Sequence, residues 1–317
     1  MVANCCSIEP QLNLQRILIM TANKSTVWLN FFLVFPLFFS ILFSCAIAQQ
    51  PNPPDYVTPT TVIGRLMIQD DVNMKMFSPY DSNYIIETYT SYINKDSIRP
   101  YEWSEHAKKD EIKFQLSLGF PLYRGLFGEN SLLGASYTQR AWWQAFNGAQ
   151  SSPFRETNYE PQIFTGFLVD YNLMGLIVDE LEFGFNHQSN GRSEETSRSW
   201  NRLYFRTSAS RGHFRVGLKA WYRFPSRHDN DDNPLITHYL GHYQLALGYV
   251  GDKTNLTARG HYNWNTGYGN AELGLSYTIT NSIRLYAQLF TGYGESMIDY
   301  KHKQTRFGLG IMLNDLF

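Results

Sequence analysis

An all-β fold, a transmembrane antiparallel β-barrel of about twelve strands, is what this 317-residue sequence predicts. Three observations carry the prediction. The first is composition: 43% hydrophobic and 16% aromatic residues stand beside only 17% charged ones, below the roughly 25% usual in soluble domains. The second is periodicity, because apolar residues alternate with polar or tiny ones in segment after segment, the period of a strand with one greasy face. The third is the other face of those segments, filled with Gly, Ser, Gln, Arg and Lys as a polar barrel interior would be. Alternation alone also fits a soluble sandwich. An even number of segments, recurring roughly every twenty residues, favours the barrel, which leaves no strand edge unpaired in lipid.

The chain opens on a targeting segment. Lys24 precedes the apolar run 27–43, and Ala46, Ile47 and Ala48 give the small-x-small pattern at which a signal peptidase cuts. Residues 1–48 are therefore expected as a signal peptide. Residues 1–19 lie upstream of Met20, which would open an ordinary signal by itself, so a mis-set start is expected there. Cys5, Cys6 and Cys45 all fall in the removed part, which leaves the mature chain without thiols, disulfides or thiolate metal sites. Residues 49–82 are expected as a periplasmic N-terminal segment and 83–317 as the barrel domain. A formal net charge of −1 gives no basic footprint for nucleic acid.

Within the barrel domain the alternation predicts strands near 83–94, 112–122, 131–145, 156–171, 176–189, 199–209, 213–223, 237–250, 254–265, 269–280, 282–293 and 303–315. Ile112, Phe114, Leu116, Leu118 and Phe120 share one face of the second strand; Phe307, Leu309, Ile311 and Leu313 share one face of the last. That last strand runs on towards Phe317, like the terminal recognition signal of outer-membrane barrels. The connections after the first, third, fifth and seventh strands are long and polar, and those after the second, sixth, eighth and tenth are short. Short periplasmic turns and long outer loops are what such barrels show. With an even strand count both termini lie in the periplasm, and the fifth strand ends at the outer surface.

The fifth strand also carries the candidate chemistry. Leu181, Phe183, Phe185, His187 and Ser189 share a face, so an apolar stripe ends in a base and a nucleophile at the outer rim. Taken alone, the His-x-Ser pair is weak, since polar residues also end strands where alternation gives way to a loop. The next strand adds to it. Asn201, Leu203 and Phe205 share parity, so a tight outer loop would set Asn201 beside His187. Nucleophile, base and orienter then follow in order: Ser189 attacks, His187 takes its proton, and Asn201 holds the imidazole tautomer. The Gly-x-Ser-x-Gly elbow of soluble esterases is absent.

The blocks 186–192 and 197–204 closely resemble the signature of the outer-membrane phospholipase A family. The resemblance continues through 134–144, 151–161, 231–234, 262–269, 292–296 and 312–317, so it covers nearly every block from about residue 80 onwards. It implies a calcium-dependent hydrolase of phospholipid and lysophospholipid acyl esters, active as a homodimer in the bacterial outer membrane. His187, Ser189 and Asn201 match the family's catalytic residues. The resemblance also implies an oxyanion hole at Ser189 and Gly191, and one Ca2+ per active site at the dimer interface. Its ligands would be the carbonyl of Arg192, Ser197, and the partner chain's loop at the Ser151 position. Ser151, Arg192 and Ser197 all fall in outer loops, and oxygen-only ligation suits calcium.

Gln139 matches a family residue that hydrogen-bonds across the dimer within the membrane. Its parity with Ala141 and Trp143 leaves both a lipid-facing and a lumenal position open. Glu194 and Glu195 stand where many relatives carry Asp-Pro. Asp229, Asp231 and Asp232 could attract calcium or simply face water. His238 and His242 are expected on the lumenal side of the eighth strand. The rival from another class is a passive porin with an inert rim Ser and His, which predicts ion conductance instead of ester hydrolysis.

Overall fold

The computed structural model describes residues 61–68, 77–225 and 231–317; the expected signal peptide, the expected start at Met20 and Asp229 lie outside them. Twelve antiparallel strands close into one barrel. They are β1 (Asn83–Thr90), β2 (Asp110–Arg124), β3 (Ser131–Trp143), β4 (Phe154–Leu173), β5 (Leu176–Ser189), β6 (Ser199–Arg211), β7 (Phe214–Arg223), β8 (Tyr243–Val250), β9 (Thr254–Asn263), β10 (Tyr268–Thr278), β11 (Arg284–Gly292) and β12 (Gln304–Asn314). Each pairs with its sequence neighbours, and β12 closes on β1. Every backbone group in the wall is thereby paired across strands, the condition for a sheet to stand in lipid. Ser78 and Pro79 add a short extra pairing onto β2.

The predicted alternation is the real in–out pattern. On β10 and β12 the apolar stripe is exposed, as at Leu273, Leu275, Phe307 and Leu309, and the residues between face inwards. Those inward residues carry charges in ion pairs. Arg155 bonds Glu111 at 2.7 Å and Asp299 at 2.5 Å, Arg306 bonds Glu295 at 3.0 Å, and Arg259 bonds Glu272 at 2.6 Å. Charges taken from water need partners of this quality, since each lone ion would cost several kcal/mol. The network fills much of the lumen, leaving a charged cavity of about 210 Å³.

Glu295 lies in the loop between β11 and β12, folded back against Lys113 and Arg306. Burial pushes its carboxyl up, but Arg306, Lys113 and Arg155 outweigh burial and hold it at about 2. Because the folded value is depressed, its contribution to stability is full above about 4.5, the ordinary glutamate value, and fades as pH falls towards about 2. Lowering pH from 5 to 2 is therefore expected to lower the barrel's unfolding temperature, with a smaller drop in Glu295→Gln. Identical drops in the two proteins, read from the heat-induced electrophoretic shift, would remove Glu295 from this role.

Three expectations need correction. The segment 49–82 is not simply periplasmic, because helix α1 (Val62–Met67) packs inside the barrel at its short-turn end. Thr61 caps it by accepting from the Gly64 N–H at 3.0 Å, and the Ile63 N–H donates to Glu180 on the wall at 2.8 Å. At its other end Arg124 donates to the Leu66 carbonyl at 2.9 and 3.1 Å. Both sets of free helix-end groups are thus met by side chains of the wall, while Val62, Ile63 and Leu66 join the core with Phe164 and Leu132.

The strand expected over 237–250 begins only at Tyr243. Before it stands helix α2 (Ile236–Leu240), ended by Gly241 at φ +64°. Ile236 and Leu240, one helical turn apart, meet the core from the same face. His238 and His242 accordingly sit in the helix and the following corner, both exposed, and not on a lumenal strand face. Alternation also fails at the C-terminal end. β12 stops at Asn314, Asp315 accepts from Ser276 at 2.6 Å, and the Phe317 ring turns inwards over Gly217 and Gly248.

Candidate active site

The β5–β6 hairpin builds the site. Its register sets His187 opposite Asn201 and Ser189 opposite Ser199, and β4 sets Tyr159 opposite Ser189. Glu180, Glu182, Gly184 and Asn186 of β5 are buried, whereas Phe185 is exposed and His187 and Ser189 are half-buried. His187 and Ser189 therefore look outwards on the apolar side of the wall. Asn201 and Leu203 of β6 are exposed on that same side, with Trp200, Arg202 and Tyr204 turned in. The sequence had placed all three residues on one face, and they are on it.

His187 Nδ1 and Asn201 Oδ1 are 2.9 Å apart. If the ring donates from Nδ1 to the amide oxygen, Nε2 is left unprotonated and able to accept a proton. Ser189 Oγ makes no hydrogen bond to the ring among the described residues, a looseness common before substrate binds. Gly191 follows with φ +63°, a conformation glycine adopts without strain. Its N–H has no partner among the described residues, so it is an unused donor two residues from the nucleophile.

The face behind the site is rigid. Trp200 Nε1 donates to Gln188 at 2.7 Å, Arg202 stacks 4.1 Å from the Trp200 ring, and Asn186 donates to Glu160 at 3.0 Å. The loop 190–198 is knitted by the buried Asn190. Its side-chain amide donates to the Thr196 carbonyl at 2.8 Å, and its oxygen accepts from the Arg198 N–H at 2.9 Å. Gln188, Asn190 and Trp200 were not picked out from sequence. Their signal was available: polar or indole groups of inward parity behind a candidate site.

Arg192 spends its side chain on anchoring. The guanidinium reaches Glu156 at 3.2 Å and the Arg155 carbonyl at 2.5 Å, and lies 4.5 Å from the Tyr101 ring. Ser197 donates to Asp232 at 2.7 Å, and Ser199 donates to the same oxygen at 3.2 Å. Of the acidic residues near the outer loops, Asp232 is thus brought to Ser197. Asp231 instead pairs with Arg223 at 2.6 Å, Glu194 stands exposed at φ +53°, and Glu195 stands exposed beside it. Among the described residues no group of three His, Asp or Glu side chains gathers for a metal. The oxygens that gather are hydroxyls, a loop carbonyl and one carboxylate, a set that suits a hard cation.

Ser151 lies apart, at the tip of the outer loop between β3 and β4. Ser151 and Ser152 both have positive φ, 57° and 46°, which is uncommon for residues with a side chain. Gln139 shares the outward face of β3 with Tyr137; its neighbours Thr138 and Ser117 bond each other inside at 2.7 Å. The position left open by parity is thus the lipid-facing one. Tyr137 donates to its oxygen at 3.1 Å, and its NH2 group has no partner among the described residues.

Fold and wall define a class: a transmembrane β-barrel with hydrolase-type side chains on its outer surface. Comparison with known proteins narrows the class to one family. A family model described as Phospholipase A1 matches residues 65–313. The Phospholipase A1 of Escherichia coli K12 is 59% identical over 252 residues, 79% of this chain and 86% of the relative. The calcium-bound dimer of the Salmonella typhi outer membrane phospholipase superposes with a TM-score of 0.79 at 55% identity, covering 82% of this chain and all of that one. An Escherichia coli outer membrane phospholipase A with an asparagine-to-alanine active-site mutation gives 0.78 at 56% identity, covering 81% and 98%. The chain belongs to the phospholipase A1 family of the bacterial outer membrane, and its function is that of a phospholipase.

Proposed function

We propose that the chain hydrolyses phospholipid and lysophospholipid acyl esters, at either glycerol position, through Ser189, His187 and Asn201. The 2.9 Å contact between His187 Nδ1 and Asn201 Oδ1 on the lipid-facing wall carries the assignment. Ser189 Oγ bonds to the ester carbonyl carbon while its proton passes to His187 Nε2. The bond from that carbon to the glycerol oxygen then breaks, and His187 returns the proton to the leaving oxygen. Water repeats the sequence on the acyl-serine and frees the fatty acid. The Gly191 N–H is an oxyanion donor beside Ser189. The long outer loops at this rim support a site on the outer-leaflet side.

Ser197, the Arg192 carbonyl and Asp232 would hold a calcium ion, with Ser151 of a second copy completing the set. Bound there, the cation would supply Lewis-acid stabilisation of the oxyanion. The calcium-bound dimer of the Salmonella protein supports this. So does Gln139, whose half-satisfied amide in an apolar wall calls for a partner. A shared metal site would restrain a lipase that lives among its substrates. Asn201→Ala is expected to lower kcat by about 10²-fold with KM little changed, the low end for disabling a general base. A kcat within twofold of wild type, measured as fatty-acid release from mixed micelles, would remove Asn201 from the mechanism.

A further inference from the structure

The row of outward side chains through His187 does not stop at Asn201. The Phe224 N–H donates to the Asn201 carbonyl at 2.9 Å, which places Phe224 as the next residue in that row. One step towards the membrane interior the register sets Phe185, Leu203 and Tyr222 side by side on β5, β6 and β7. Their rings meet: Phe185 and Phe224 are 5.9 Å apart, and Tyr222 and Phe224 5.8 Å apart and edge-on. Phe185, Leu203 and Phe224 are 41%, 47% and 40% exposed. On the opposite side of Ser189 the row runs through Tyr159 to Gln139, the proposed contact with a second copy.

The chemistry of the site, accepted as proposed above, orients a lipid between these two sides. Gly191, the oxyanion donor, lies against the Tyr159 ring, so the carbonyl oxygen points to the β4 side. The leaving glycerol oxygen must take its proton from His187, so the glycerol lies on the β6 side. In a two-chain lipid the second ester sits on the neighbouring glycerol carbon, about one strand spacing away. From His187 one strand spacing in that direction reaches Asn201 and Leu203, and the next reaches Phe224.

We propose that Phe185, Leu203, Tyr222 and Phe224 form the bed for the acyl chain that is not being cleaved. They are thus a positioning determinant for two-chain lipids and irrelevant to one-chain lipids. The occupant is an acyl chain of the substrate because the bed is continuous with the proton-donating edge of the site.

The test compares wild type, Phe224→Ala, Phe224→Leu and Leu203→Ala on diacyl phosphatidylcholine and on its one-chain lysophosphatidylcholine, in calcium-containing mixed micelles. Taking the ratio of kcat/KM for the two lipids within one preparation cancels any difference in folded fraction. The ratio is expected to fall at least about fivefold in Phe224→Ala and Leu203→Ala, and to recover largely in Phe224→Leu. An unchanged ratio, whether both rates fall together or neither moves, overturns the proposal. Ser189→Ala separates the two levels: if that variant kept both activities, the catalytic assignment itself would be wrong, whatever Phe224 does.

Discussion

Replacing Ser189 by alanine is expected to lower fatty-acid release by about 10⁴-fold or more, the loss typical of removing a hydrolase nucleophile. The barrel should be untouched. Ser189 is half-buried at the end of β5, and its hydroxyl makes no hydrogen bond among the described residues, so its loss leaves no buried group unsatisfied. The heat-induced electrophoretic shift should therefore match wild type. The combination matters, because a rim serine that merely ended a strand would also leave the fold intact but would leave activity unchanged. Equal release by the two proteins would return Ser189 and His187 to the porin alternative, in which conductance is the property to measure.

Removing calcium is the second large effect. Chelation is expected to lower turnover by about 10²–10³-fold, the loss associated with one oxyanion-stabilising group. Asp232→Ala should raise the calcium concentration for half-maximal rate by roughly tenfold, since a carboxylate is the strongest oxygen donor in the set. The rate at saturating calcium should return towards wild type. Asp232 accepts from both Ser197 and Ser199, so its loss frees two hydroxyls at the loop base but breaks no buried ion pair. If calcium titrations of the variant and wild type overlaid, Asp232 would be a solvated loop residue after all. If a covalently isolated monomer turned over as fast with calcium as the dimer, the shared site would fail while the triad stood.

The wall was legible because lipid on one side and ion pairs on the other impose a strict period of two on every strand. The same period brought His187, Ser189 and Asn201 to one face. The family resemblance added their roles. What alternation cannot express was missed. α2 reads as strand because Ile236 and Leu240, four apart, suit both periods over so short a stretch. α1 docks in the lumen through Glu180 and Arg124, contacts more than fifty residues away in sequence. Phe317 leaves the strand because glycines at 217 and 248 open a niche on strands far from β12. Asp232 belongs beside Ser197 through a contact between two outer loops, which no local pattern encodes. Gln139 needed the closed sheet, since parity alone does not say which face is inside.

The most direct measurement is the site of covalent capture by a long-chain fluorophosphonate, read by peptide mass spectrometry on the folded protein in calcium-containing micelles. The triad predicts a single adduct on Ser189, lost in His187→Ala and strongly slowed by chelator. An adduct on another serine, or labelling of Ser189 that ignores both His187 and calcium, would contradict it.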